Sequence, residues 1–143
     1  MRTTILFLFS AALFLLTAIS CDKGPGRNAR IKLSQTDIYF GAEGGTCTIT
    51  SNLEVTFDKI YIVDKSGNLK NALEEEGRRM PNDCKSIEYD WIKADITDPL
   101  GTTLISFCAK ANGTADSRTL KIVVSTEETI KWITIHQAGA EGH

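Results

Sequence analysis

Histidine is nearly missing from this chain: of 143 residues, only His136 and His143 carry an imidazole. Neither stands in a zinc spacing such as HExxH, and there is no GxSxG nucleophile turn and no phosphate-binding glycine loop. The 18 Asp and Glu residues make acid pairs unavoidable, so no spacing singles out a glycosidase pair. The expectation is a protein with no catalytic centre, no metal site and no cofactor. Clustered positive charge is missing too. With no basic block, the chain lacks the electrostatic footprint that binds nucleic acid.

A long apolar run is also absent. The most apolar stretch, Ile5 to Leu16, has twelve residues, short of the roughly 20 that cross a bilayer as a helix. Its flanks are those of an export signal: Arg2 before it, the small side chains of Ala18 and Ser20 after it. Cys21 follows at once. The pattern resembles a bacterial lipoprotein signal, in which the thiol is diacylated, the chain is cut before the cysteine and the new amino group is acylated. Two or three acyl chains, at about 0.8 kcal/mol per buried methylene, hold a protein on a membrane far longer than one does. Residues 1–20 are therefore expected to be a signal peptide and Cys21 the lipidation site. The expected location is the cell envelope, on the surface or periplasmic face of the outer membrane.

Losing residues 1–20 removes one Arg and no acid from 16 bases and 18 acids, which leaves 15 against 18 and a net charge near −3. The remaining length suits one domain. Residues 21–30 form the tether, because Asp22 to Arg30 (DKGPGRNAR) has no apolar side chain larger than Ala and cannot offset the entropy of ordering. Residues 31–143 form the domain. There apolar residues alternate with polar ones: Ile31 and Leu33, Ile38 and Phe40, Cys47 and Ile49, Ile105 and Phe107, Leu120, Ile122 and Val124, Ile133 and Ile135. Period two marks half-buried strands. Gly44-Gly45, Asp98 to Gly101 and Asn112 to Thr114 supply the turns. The pattern predicts an all-β, immunoglobulin-like antiparallel β-sandwich of about seven strands. Lys65 to Asp90 interrupts the rhythm and is expected to be a long inserted connection. It has room for a short helix capped by Asn68, stopped by Gly77 and barred from resuming by Pro81.

Four segments carry a family resemblance: SQTDIYFGAEGGTCTITSN, the Asp90-Trp91-Ile92 step, the Asn112 to Arg118 loop leading into RTLKIVV, and the closing WITIHQAG. Together they are similar to the BACON family, the Bacteroidetes-associated carbohydrate-binding often N-terminal domains, over about Leu33 to Gly139. The resemblance implies an immunoglobulin-like sandwich of the kind repeated in, or fused to, glycan-active surface proteins. This chain departs from that pattern in the length of its Lys65 to Asp90 stretch and in carrying the domain by itself. The motif residues have physical roles of their own, since Gly44 and Gly45 allow a turn or bulge and Gln137 can satisfy backbone groups where the last strand ends.

Three aromatic residues are candidates for stacking on the apolar C–H face of a sugar: Trp132, Tyr61 and Trp91. Trp132 shares a strand face with Thr134 and His136, opposite Ile133 and Ile135, so it is expected to point away from the core. Trp91, beside Ile92, fits a core position better. Once Cys21 is committed to lipid, Cys47, Cys84 and Cys108 remain, an odd number that allows one bridge. Cys84 on the connection and Cys108 on an outward face are the expected disulfide, with Cys47 reduced, in preference to a pairing of Cys47 with either of them. Two functions follow from different classes. One is a non-catalytic, membrane-anchored binding or adaptor lipoprotein whose ligand is a glycan or an envelope protein; the other is a structural spacer with no ligand.

Overall fold

A computed structural model describes residues 29–141. The expected signal peptide, the expected lipidation site Cys21 and most of the expected tether lie outside the described residues. In chain order the elements are β1 (Asp37–Phe40), β2 (Gly45–Ser51), β3 (Thr56–Val63), β4 (Leu69–Asn71), α1 (Ala72–Glu75), β5 (Ser86–Tyr89), β6 (Ile92–Thr97), β7 (Thr103–Ala109), β8 (Arg118–Ser125) and β9 (Ile130–Gln137). They form two sheets, one of five strands in the order β1-β9-β8-β3-β4 and one of four in the order β2-β7-β6-β5. The protein is an all-β sandwich. One pair is parallel, β1 against β9, with Ile38 opposite Ile135 and Phe40 opposite Gln137; the others are antiparallel.

The alternation seen in the sequence is the alternation of burial. Ile49, Ile105 and Phe107 of one sheet and Ile60, Leu120, Ile122, Ile133 and Ile135 of the other are almost wholly buried. Each such side chain contributes about 1.5–3 kcal/mol of burial free energy. Strand β3 breaks strict parity, because its pairing with β8 shifts between Phe57 and Lys59. The extra residue at Asp58 keeps both Phe57 and Ile60 on the core side, which a regular strand could not do.

Among the described residues nine strands stand where about seven were expected, and the two extra ones, β4 and β5, both come from the Lys65 to Asp90 connection. Leu69–Asn71 pairs with Val63–Tyr61, and Phe57 donates its N–H to the Cys84 carbonyl at 2.8 Å, stitching the far end of the connection to β3. Asn71, not Asn68, caps the single-turn helix, its Oδ1 accepting from the N–H groups of Leu73 and Glu74 at 3.2 and 3.4 Å. Asn68 is occupied one turn earlier, donating through Nδ2 to the Asp64 carboxylate at 3.0 Å. Gly77, at φ +69°, ends the helix as expected.

At the end of the sandwich where β9 finishes, polar side chains close the core. Gln137, 1 % exposed, donates to the carbonyls of Gly41 and Lys110 at 3.2 and 2.8 Å and accepts from Arg118 Nε at 2.8 Å. Asn112 ties the carbonyls of Asp116 and Ala138 together at 2.8 and 3.0 Å. Gly44, at φ +80°, brings the chain so close to the Ala109 carbonyl that a Cβ would collide with it. The double glycine is thus needed for close backbone approach as well as for bending.

Candidate functional site

The side chains of the five-stranded sheet that face away from the core form the candidate site. On β9 these are Ile130, Trp132, Thr134 and His136, the positions between the buried Ile133, Ile135 and Gln137. Register places one row straight across the sheet: Asp37, Thr134, Lys121, Tyr61 and Asn71. In the next row Trp132 and Lys59 flank Val123, which is only 2 % exposed although it points outward. Among the described residues, four of the five large exposed apolar side chains lie on this face, namely Tyr39, Leu69, Ile130 and Trp132. The remaining one, Leu100, sits at the tip of the β6–β7 turn.

Two ring stacks stand on this surface. Trp132 and Tyr61 reach diagonally over β8 with centroids 5.3 Å apart and planes inclined by 30°. Tyr39 lies nearly parallel on His136, at 4.6 Å and 10°. The imidazole is held on both sides, with Nε2 3.4 Å from the Asp37 carboxylate and Nδ1 3.4 Å from the Thr119 hydroxyl. Positions 132 and 136 are four residues apart on one strand, about 13 Å at the usual rise. The surface therefore offers two separated aromatic plates with hydroxyls and ammonium groups between and beside them. Such a surface can hold a flat, hydroxyl-bearing ligand by stacking and hydrogen bonding.

The sequence candidates divide. Trp132 and Tyr61 come together on the outer face. Trp91 does not join them: it is 4 % exposed in the core, with the Arg118 guanidinium 4.6 Å from its ring centre. It is excluded as a ligand contact because the turn before β6 directs it between the sheets, and Arg118 covers the ring. Burial also lowers the Arg118 pKa from its usual value. The expected bridge is corrected as well, since Cys47, Cys84 and Cys108 are all free. Cys84 packs in the core, donating through sulfur to the Ser86 carbonyl at 3.1 Å, whereas Cys108 is exposed on the far side of β7. Cys47 keeps its expected inward face, opposite Phe107 and against the core. Cys21 lies outside the described residues.

Tyr39 went unselected in the sequence, although the alternation of Asp37 and Tyr39 with Ile38 and Phe40 already turned it outward. A groove of about 630 Å³ lies elsewhere, where β3 begins and β8 ends, lined by Glu54, Asp58, Asp83 and Glu127 with Phe57 and Met80. Among the described residues no group of three or more His, Cys, Asp or Glu is arranged to hold a metal ion.

The fold defines the class, a two-sheet β-sandwich. It is similar to the solved NMR structure of a protein from Bacteroides thetaiotaomicron, with a TM-score of 0.57 and 15 % identity over 79 % of this chain and 90 % of that one. No family model and no curated protein matches the chain.

Proposed function

We infer that this protein is a non-catalytic binding module of the cell envelope, held to the outer membrane through lipid on Cys21, and that it takes a glycan on the outer face of its five-stranded sheet. The observation that carries the reading is the Tyr61–Trp132 stack on an open surface, paired with the Tyr39–His136 stack further along β9. Hydroxyls of Thr119 and Thr134 and the ammonium groups of Lys59 and Lys121 flank the rings, the mixture that sugar hydroxyls and C–H faces require. The resemblance of the strand and turn motifs to the BACON domains agrees with this reading. An envelope protein is the other ligand class the face suits, because exposed Leu69 and Ile130 widen the apolar area beyond the rings. A spacer with no ligand leaves the gathering of exposed apolar side chains on one face unexplained.

A glycan array and a pull-down from envelope extracts, run with wild type and Trp132→Ala, separate the ligand classes. The expected result is glycan binding that weakens by roughly 1 to 3 kcal/mol in the variant. Binding equal to wild type removes Trp132 from the site, and capture of a protein alone replaces the glycan with a partner. Anchoring has its own test: a fatty-acid analogue labels wild type and leaves Cys21→Ala unlabelled.

A further inference from the structure

Strand β2 is an edge strand with its backbone half used. It pairs with β7 on one side only, from Gly45 opposite Ala109 to Ser51 opposite Thr103. In an antiparallel pair alternate residues turn both backbone groups to the same neighbour. The even-numbered residues of β2 turn theirs away from β7, as the chain itself demonstrates beyond Thr48. The Thr50 carbonyl accepts from Ser34 N at 3.0 Å, the Thr50 N–H donates to Ser34 Oγ at 2.9 Å, and Asn52 N donates to the Lys32 carbonyl at 3.2 Å. The segment from Lys32 to Ser34 thus adds a short antiparallel strand to this edge, with Leu33 opposite Ser51. It then leaves at Gln35 to build β1 in the other sheet. Among the described residues, the N–H and C=O groups of Thr46 and Thr48 have no backbone partner.

The open stretch, Gly45 to Ile49, lacks the usual defences of an edge. It contains no Lys, no Pro and no charge of either sign. It is also self-complementary. If two copies meet antiparallel with Cys47 opposite Cys47, Thr46 of each faces Thr48 of the other, and the four free groups on each side make four hydrogen bonds. That register ends where the Lys32 to Ser34 segment begins, because position 49 would face position 45. A charged or irregular partner strand would not use this fit. We propose that β2 pairs with β2 of a second copy of this chain, two-fold symmetric about Cys47, to give a continuous eight-stranded sheet through two sandwiches.

The register brings the two Cys47 residues together as a non-hydrogen-bonded pair, with Cα atoms about 4.5 Å apart, within the span of a disulfide. That makes the contact readable. The full chain carrying Cys108→Ser is expressed in cells and treated with diamide, which takes two electrons and two protons from a thiol pair as the S–S bond forms. A non-reducing gel gives the expected dimer band, and Cys47→Ser abolishes it. T46K/T48K sets like charges directly opposite each other in both Thr46–Thr48 pairs and reduces the band to the Cys47→Ser level. T46K/T48E sets opposite charges there and restores it. Absence of a Cys47-dependent dimer overturns the proposal, as does a band that survives T46K/T48K. Loss of the band in both charge variants overturns it too, because misfolding and a wrong register alike leave the predicted rescue unmet.

Discussion

Tyr39 lies flat on His136, ring centroids 4.6 Å apart, although one comes from the first strand of the domain and the other from the last. The parallel pairing of β1 with β9 makes this contact and sets Asp37 beside the same imidazole. With Trp132 four residues earlier on β9, it turns the outer face of one sheet into an aromatic surface.

The two tryptophans should respond in opposite ways to truncation. Trp91→Ala removes a ring that is 4 % exposed and strips Arg118 of its stacking surface, so about 3 to 5 kcal/mol of stability should be lost. Trp132→Ala removes a ring that is 38 % exposed, and the loss should be well below that, limited to its contact with Tyr61 and its cover over Val123. Urea unfolding of both variants measures the difference. Equal losses would place Trp132 in the core and end its candidacy as a ligand contact.

Gln137 is a structural keystone of the last strand. Its amide serves Gly41, Lys110 and Arg118 at once, and Gln137→Leu leaves the Gly41 and Lys110 carbonyls, held in part-buried hydrogen bonds, without that donor. Roughly 1 to 3 kcal/mol per unsatisfied group is expected. The same urea titration checks it, and a variant as stable as wild type would mean that water or a neighbour replaces the amide.

Much of this architecture was legible in the chain. Period two at Ile105 and Phe107, or at Ile133 and Ile135, fixes which side chains are buried, since a one-residue slip would expose them all. It also placed Trp132 outward and Cys47 inward. What alternation does not encode is which strands meet. Parallel pairing of β1 with β9 is a long-range choice, so the Tyr39–His136 stack had no local signature. Nor had Cys84: it lies on a charged, irregular stretch, yet the bridge from Phe57 to Cys84 draws it into the core and away from Cys108. In the same stretch Asn68 and Asn71 are equivalent capping residues by type. Strand β4 decides between them by occupying the three positions from Leu69 to Asn71.

Thiol reactivity follows from this placement. In the native protein a maleimide should label Cys108 first, Cys47 more slowly and Cys84 only on unfolding, in line with their exposed, intermediate and buried positions. Peptide mapping after alkylation in denaturant should find no bridge between Cys84 and Cys108. Finding that bridge would mean that the connection packs differently.

Asp64 supplies a pH-dependent element at the β3–β4 turn. Its carboxylate accepts from the Asn68 side chain and from the backbone N–H groups of Asn68 and Ser66, which hold its pKa below the ordinary carboxylate value. A group with a depressed folded pKa stabilises fully above its unfolded value of about 3.9, and that contribution is lost as pH falls through the folded pKa. Carboxylate titration by NMR should therefore find Asp64 still ionised at a pH where an ordinary, unperturbed carboxylate has begun to protonate. Asn68→Ala should raise the Asp64 midpoint, and an unmoved midpoint would show that the side-chain bond is not its main cause.

The proposed glycan face is tested most directly by titrating the isotope-labelled protein with the best glycan from the array and following backbone amide and aromatic ring signals. Tyr39, Tyr61, Lys121, Trp132, Thr134 and His136 are expected to shift together and saturably, while β2, β5, β6 and β7 stay unmoved. Shifts confined to the four-stranded sheet or to the acidic groove around Glu54 and Glu127, or no saturable shift with any glycan, would contradict it.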